Sequence, residues 1–164
     1  MRKYISAKGP EPIFETSEAL HRAGVHVEIT DLIVPQVGES DAATRTLARH
    51  VVDRLGPEVP FHLLRFHPDY HMMDLPETPV ATLERLHAVA KGEGLQYVYL
   101  GNVWGHRLEH TYCPACGAIA VERFGFTIRS WNLDGENRCR QCRHRIPIVG
   151  RPPDDYVPAF ATPV

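Results

Sequence analysis

The 164-residue sequence predicts an α/β fold with a parallel sheet, followed by a small metal-binding ribbon. Three observations carry this expectation. Residues 1–108 alternate helical and extended patterns three times, the signature of parallel strands joined by crossover helices. Two Cys-x-x-Cys pairs then follow, and basic charge gathers around the second pair.

The elements are expected in this order. Glu11 to Ala23 spaces Ile13, Phe14, Ser17 and Leu20 as on a helix, and Gly24 stops it. Val25 to Val34 is rich in β-branched residues and reads as a strand ended by Pro35. Ser40 is placed to cap a helix whose stripe is Leu47, Val51 and Leu55, closed by Gly56-Pro57. Phe61–Phe66 is a second strand. Thr78-Pro79 starts the next helix, with Thr78 at the cap. Val80, Leu83, Leu86 and Val89 form its stripe as far as Gly92 and Gly94. Gln96–Leu100 is the third strand. Beyond it, Ile119–Arg123 and Phe126–Trp131 read as a hairpin around Phe124-Gly125.

Composition excludes several classes. With 43% hydrophobic and 23% charged residues, the chain has the balance of a globular protein, not a disordered one. A net charge of −2 gives no whole-chain signal for nucleic acid or membrane. No apolar run approaches the roughly 20 residues that span a bilayer. Met1–Ser6 has no apolar stretch behind its basic residues, so no signal peptide and a cytoplasmic location are expected. Between Glu109 and Gly150 six arginines oppose four acidic residues, leaving that segment at +2 and the rest at −4. All four cysteines fall inside the same segment, which sets expected boundaries at 1–108, 109–150 and a proline-rich tail, 151–164, that is expected to be loosely ordered.

Cys113-Pro-Ala-Cys116 and Cys139-Arg-Gln-Cys142 are two knuckles separated by 22 residues. Each knuckle turns two sulfurs toward one point, so Cys113, Cys116, Cys139 and Cys142 are the expected ligands of one structural zinc, or of iron in a rubredoxin-like variant. A reducing cytoplasm disfavours disulfides, and a thioredoxin-like site needs one pair where there are two. Arg138, Arg140, Arg143 and Arg145 around the second knuckle could contact phosphates; a solvated basic rim is the preferred reading.

Two histidine groups follow strands. His62, His67 and His71 with Asp69 form one, and His106, Glu109 and His110 the other. The carboxyl ends of parallel strands are where active sites form, so an acid–base or second metal site is conceivable. Pro68, however, keeps His67 and His71 off a shared helical face. Ordinary loop histidines are the favoured reading.

Three parallel strands make a small sheet with two open edges and an uncovered face. The chain therefore reads as part of a larger fold. The runs Leu64-Arg-Phe-His-Pro-Asp-Tyr70, Thr78-Pro-Val-Ala-Thr-Leu-Glu84, Tyr97-Val-Tyr-Leu-Gly-Asn-Val103 and Thr111-Tyr-Cys-Pro-Ala-Cys-Gly117 give that idea a form. In order and spacing the chain, from near Arg2 through Pro147, resembles the C-terminal half of the AmmeMemoRadiSam system radical S-adenosylmethionine enzymes, relatives of pyruvate formate-lyase activating enzyme.

The resemblance implies a partial (β/α) barrel in which Val25–Val34 and Phe61–Phe66 are the fifth and sixth strands. It also implies adenosine-side contacts to S-adenosylmethionine around Ile33, Phe66 and His67. The family's Cys-x-x-x-Cys-x-x-Cys motif for a [4Fe–4S] cluster and its glycine-rich methionine-binding segment are absent from this sequence. Pro35-Gln-Val-Gly-Glu-Ser40 also departs from the family's Pro-Gly and Asn-Asp. Two readings follow. One is the C-terminal portion of such an enzyme, from a split or truncated gene, inactive alone and completed by an N-terminal half-barrel chain or by self-association. The other is a stand-alone zinc-ribbon module that contacts nucleic acid or protein. A metal hydrolase built from the histidines is a weaker third.

Overall fold

The structure is a computed structural model that describes residues 9–157. Two expectations, that Met1–Ser6 is not a signal peptide and that tail residues 158–164 are loosely ordered, lie outside the described residues. Within them the fold is mixed α/β. Helix α1 (Glu11–Arg22) precedes strand β1 (Ile29–Ile33), α2 (Asp41–Arg54) precedes β2 (Phe61–Arg65), and α3 (Val80–Gly92) precedes β3 (Val98–Gly101). The three strands form one parallel sheet in the order β1-β2-β3. A second, antiparallel sheet in the order β4-β5-β6 comprises β4 (Thr111–Tyr112), β5 (Ile119–Phe124) and β6 (Thr127–Trp131). Among the described residues no helix is long and apolar enough to cross a membrane.

Strand register decides which side chains meet the helices. Phe61 lies beside Ile29 and Val98, and Leu63 beside Asp31 and Leu100. Because side chains alternate across a strand, Phe61, Leu63, Val98, Leu100 and Ile33 share one face. There they pack against Ala48, Val51 and Leu55 of the α2 segment and Leu83, Leu86 and Ala90 of α3 in one cluster. Each such large side chain contributes about 1.5–3 kcal/mol when fully buried, so this single helix-covered face is the main core. The opposite face carries Thr30, Leu32, His62, Leu64 and Tyr99.

Several expected boundaries shift, for physical reasons. The first strand begins at Ile29, not Val25, because pairing starts where the Ile29 amide bonds the Pro60 carbonyl (2.9 Å) and β2 begins at Phe61. The third runs Val98–Gly101. Ser40 caps α2 as expected, its hydroxyl accepting from the Ala43 amide. Thr78 does not cap α3, which starts from Pro79 with no side-chain cap. Instead Thr78 is completely buried. Its hydroxyl donates to the Ile33 carbonyl and accepts from the Phe66 amide at 3.2 Å. One side chain thus ties together the carboxyl ends of β1 and β2.

Helix α1 also differs from its expected stripe. Ile13 and Leu20 are about half exposed, and its only buried residue is Glu18. The Glu18 carboxylate accepts from Arg54 of α2 at 2.9 and 3.2 Å, and Phe14 stacks on His50 at 4.0 Å. The helix is therefore docked on α2 by a buried acid and one aromatic contact, and its aliphatic side chains are left outside.

Two outcomes follow from these contacts. Thr78→Val leaves a buried carbonyl and a buried amide without partners and should cost about 3 kcal/mol, whereas Thr78→Ser should lose only about 1 kcal/mol. Urea unfolding of both variants measures the difference. The second outcome concerns His87, whose ring donates to the Val98 carbonyl (3.2 Å). Burial pulls His87 down to about 4, against that bond and with help from Lys91, Arg107 and His106. The unfolded chain takes up this proton near pH 6.5 and the folded chain only near 4, so folding stability should fall as pH drops through that window. A His87→Gln variant should show a shallower decline in the same unfolding series.

Candidate metal centre

The two knuckles are built alike. In the first, the Cys113 amide bonds the Ala118 carbonyl (2.8 Å) and the Gly117 amide bonds the Cys113 carbonyl (2.9 Å). In the second, the Cys139 amide bonds the His144 carbonyl (2.8 Å) and the Arg143 amide bonds the Cys139 carbonyl (2.8 Å). Both turns need a left-handed residue after the second cysteine: Gly117 at φ +74° and Arg143 at φ +67°. Glycine adopts this conformation freely, and arginine does so at a cost of about 1 kcal/mol. Arg143 is held there by an ion pair with Asp134 (2.6 Å).

The hairpin sets the two knuckles against each other. Strand β5 ends at Phe124, one residue later than expected, and Gly125-Phe126 forms the turn into β6. Strand β4, two residues long and unforeseen, pairs with β5 and feeds directly into Cys113. Leu133 bridges to Cys139 on the far side. In each knuckle the first cysteine is buried and the second exposed.

The four sulfurs all lie within 4.8 Å of one another. Cys113 and Cys142 are 3.5 Å apart, and Cys116 and Cys139 3.7 Å. A disulfide would bring sulfurs to about 2.05 Å, so these are free thiols. Four sulfur ligands at about 2.3 Å from a tetrahedral ion stand about 3.8 Å apart, which the observed spacing matches. Cys139 is drawn down to about 7: burial opposes this, but the Cys142 and Gln141 amides and the neighbouring thiols outweigh it. Burial pushes Cys113 up. Four thiolates cannot share this space without a cation, and the donor set fits one metal ion such as zinc.

Around the centre the packing is thin. Tyr97, Ala120, Val121, Leu133 and Ile146 form its cluster with Cys113 and Cys139. Tyr97 belongs to the parallel-sheet segment, so the module leans on that sheet. A seam of contacts that the sequence reading missed completes the join. The Tyr99 hydroxyl lies 3.0 Å from that of Thr111, which also accepts from Arg123 at 2.5 Å. The Arg123 guanidinium lies over the Tyr99 ring, 5.7 Å from its centroid. On its other side Tyr99 stacks with His62 (5.1 Å), and His62 pairs with Glu28 (2.7 Å). That pairing, against burial and with help from His26, holds the Glu28 carboxyl down at about 2. The Tyr97-Val-Tyr99 alternation was the one available signal, since it places both tyrosines opposite the helix-facing Val98.

The remaining candidates do not converge. Ile33 is completely buried and Phe66 nearly so. The side chain of His67 is exposed and pairs with Glu77 (2.9 Å). His62 is engaged with Glu28, and His71 packs on the exposed Tyr70. His106 accepts from the Leu108 amide (3.2 Å) and pairs with Glu84, Glu109 accepts from Gly105 (2.7 Å), and His110 accepts from Arg123 (3.2 Å). The histidines thus hold loops in place. Among the arginines of the second knuckle, Arg138 pairs with Glu136 (2.8 Å), Arg143 with Asp134, and Arg140 donates to the Leu133 carbonyl (3.1 Å). In the tail, the Tyr156 hydroxyl accepts from the Ile128 amide (3.0 Å), so residues 151–157 are anchored on β6 rather than loose.

The chain is 46% identical over 140 residues to an uncharacterized protein of Methanocaldococcus jannaschii. The match takes in 85% of this chain and 42% of that protein, so the chain spans less than half the length of the relative it resembles. No protein-family model matches the chain.

Metal removal should act locally. With so little apolar burial of its own, the segment from Glu109 to Gly150 should draw on a bound ion for its folding free energy. Hydrogen exchange before and after a strong thiol-competing chelator should show amides of 109–150 losing protection while α2, α3 and the parallel sheet keep theirs. Uniform protection before and after complete metal removal would contradict this.

Proposed function

We propose that the chain is the C-terminal portion of a radical S-adenosylmethionine enzyme that resembles the glycyl-radical-enzyme activases, with a zinc ribbon attached. One observation carries this reading: three parallel strands follow one another in sequential order, and both crossover helices lie on a single face. A doubly wound sheet reverses strand order and covers both faces, whereas sequential order with one-sided helices is the arc of a (β/α) barrel. In this reading the face bearing His62, Leu64 and Tyr99 looks into the barrel. Iron could replace zinc in the ribbon, since both suit four thiolates.

Further support comes from the uncovered side. The outer edge of β1 has no partner strand among the described residues. Ile13 and Leu20 of α1, Val25 before β1 and Leu32 within it are 45–50% exposed. Exposed large aliphatic side chains on α1, before β1 and within it suit a covering partner, here the N-terminal half of the barrel. The longer relative has room for such a half, because the match spans only 42% of it.

The chemistry divides accordingly. A [4Fe–4S] cluster that activates S-adenosylmethionine needs three cysteine ligands and one open iron. All four cysteines here already converge on the ribbon, so the cluster would come from the other half. Of the residues at the carboxyl ends of the first two strands that would serve the adenosine side, His67 is the exposed one, while Ile33 and Phe66 would shape that end from beneath, their side chains buried and the Ile33 carbonyl and Phe66 amide held by Thr78. The competing reading, a stand-alone ribbon on nucleic acid, is less well supported. Three of the four arginines it needs are engaged within the ribbon, in two ion pairs and one bond to a backbone carbonyl.

The test is complementation. The part of the Methanocaldococcus jannaschii relative that lies outside the match is co-expressed with this chain, and iron and sulfide are added without oxygen. A co-purifying complex that forms 5′-deoxyadenosine from S-adenosylmethionine, while this chain alone forms none, is the expected result. If the intact relative carries no cluster and releases no nucleoside, the reading is wrong.

A further inference from the structure

Between strand β6 and the tail, residues 151–156, lies a cavity of about 370 Å³. Strand β6 pairs with β5 on one side only, and on the ribbon's far side the Tyr156 hydroxyl accepts from the Ile128 amide (3.0 Å), which fixes the tail against the strand. We infer that this cavity is a binding site for a nucleotide, a planar base joined to a phosphate, either as a free mononucleotide or as one unit of a single strand. The inference is independent of the barrel reading, because every residue it uses belongs to the ribbon and its tail.

Three guanidinium groups line the cavity, those of Arg129, Arg140 and Arg151. Among the described residues none of them donates to a carboxylate. Arg129 rests over the Phe124 ring, 4.6 Å from its centroid, and has no ion pair there. Arg140 uses Nε on the Leu133 carbonyl and keeps both terminal nitrogens. Arg151 stands 3.9 Å from Asp154, whose side chain is 94% exposed, so solvent screens that contact. The other acid in the wall, Asp134, is already matched. It accepts from the Glu136 and Arg138 amides (2.9 Å each) and pairs with Arg143 (2.6 Å). Elsewhere the chain closes arginines on acids: Arg45 and Arg49 on Glu93, Arg54 on Glu18, and Arg65 on Glu77. Guanidinium groups left with free forks suit an oxyanion such as phosphate, which they can grip in bidentate fashion.

Two rings stand beside these cations, Trp131 and Tyr156. Neither stacks on another ring among the described residues, and both keep accessible surface. The Trp131 indole N–H has no acceptor among those residues, and the Tyr156 hydroxyl, which accepts from Ile128, still has its own proton to donate. Aromatic faces hold a base by stacking, and arginines beside them hold the phosphate. Pro152 and Pro153 add a stiff apolar wall. A bare anion would leave the rings unused, and an apolar ligand would leave the guanidinium groups unused. The volume lies near the lower end of small-molecule pockets, about 300–1,000 Å³, which suits one nucleotide and not a dinucleotide.

The experiment is a titration of the full chain, metal-loaded, followed by indole and amide NMR. Adenosine monophosphate, uridine monophosphate, a short oligouridylate and inorganic phosphate are added in separate arms at constant ionic strength. Saturable shifts of the Trp131 indole and of amides in 128–135 and 151–156 are expected. The dissociation constant should lie below about 1 mM in at least one nucleotide arm, with inorganic phosphate about tenfold weaker or worse. Oligouridylate binding more than about tenfold tighter than uridine monophosphate assigns a single strand, and a smaller difference assigns the free nucleotide. Arg129→Met and Arg151→Met, both at exposed positions, should each weaken binding by about tenfold. Tyr156→Leu should narrow the gap between nucleotide and inorganic phosphate, which loss of charge alone would not do. Arg107→Met, outside the cavity, should change nothing. No saturation below about 10 mM in any nucleotide arm, inorganic phosphate binding as tightly as the nucleotides, or binding that survives Arg129→Met and Arg151→Met together overturns the assignment.

Discussion

Four sulfur atoms that must share one small volume are the constraint on which the C-terminal part of the molecule depends. As thiolates they repel, and as buried thiols they leave a polar cluster with weak donors at the centre of a thin core. A single cation reconciles them. Val121, Leu133 and Ile146 are among the few large side chains this segment buries completely. That is too little apolar burial to hold two hairpin-like knuckles in register. Metal–sulfur bonds to a bound ion would supply the missing cohesion, and the duplicate turns after Cys116 and Cys142 aim the sulfurs at one point.

The centre does not stand alone, because β3 belongs to two cores at once. Val98 and Leu100 face the helices, while Tyr97 and Tyr99 face the cysteine module. The strand that would otherwise be the far edge of a three-stranded sheet is thereby flanked. The other edge is left open, with Leu32 half exposed and α1 held on by Glu18 and Phe14 rather than by an apolar face. One side of the molecule is finished and the other is not. This asymmetry connects the metal centre to the proposal of a missing half-barrel: in that reading the cysteine module would close one end of the arc and an N-terminal half would continue it at the other.

Much of this was legible in the sequence, in proportion to how local the cause was. Apolar periodicity and Gly-Pro punctuation located α2 and α3 because their stripes face one core. Cysteine spacing located the metal centre because a knuckle is a property of six consecutive residues. What could not be read depends on partners distant in the chain. Thr78 looked like a helix cap, the local role of a threonine before proline, but Ile33 and Phe66 claim its hydroxyl. Ile13 and Leu20 looked like a core stripe, yet both are left about half exposed. Strand β4 is too short to show any alternation and exists only because β5 pairs with it. The histidines were attractive as a group, and each proved to be engaged separately with a nearby carboxylate, amide or ring.

The most direct test of the account is the coordination of the ion itself. X-ray absorption at the zinc and iron edges of the purified, untagged protein reads both identity and ligands. The account predicts one ion per chain with four sulfur neighbours at about 2.3 Å and no nitrogen or oxygen in its first shell. A first shell containing nitrogen or oxygen, or protein that carries no metal while all four thiols remain reduced and reactive, would contradict it.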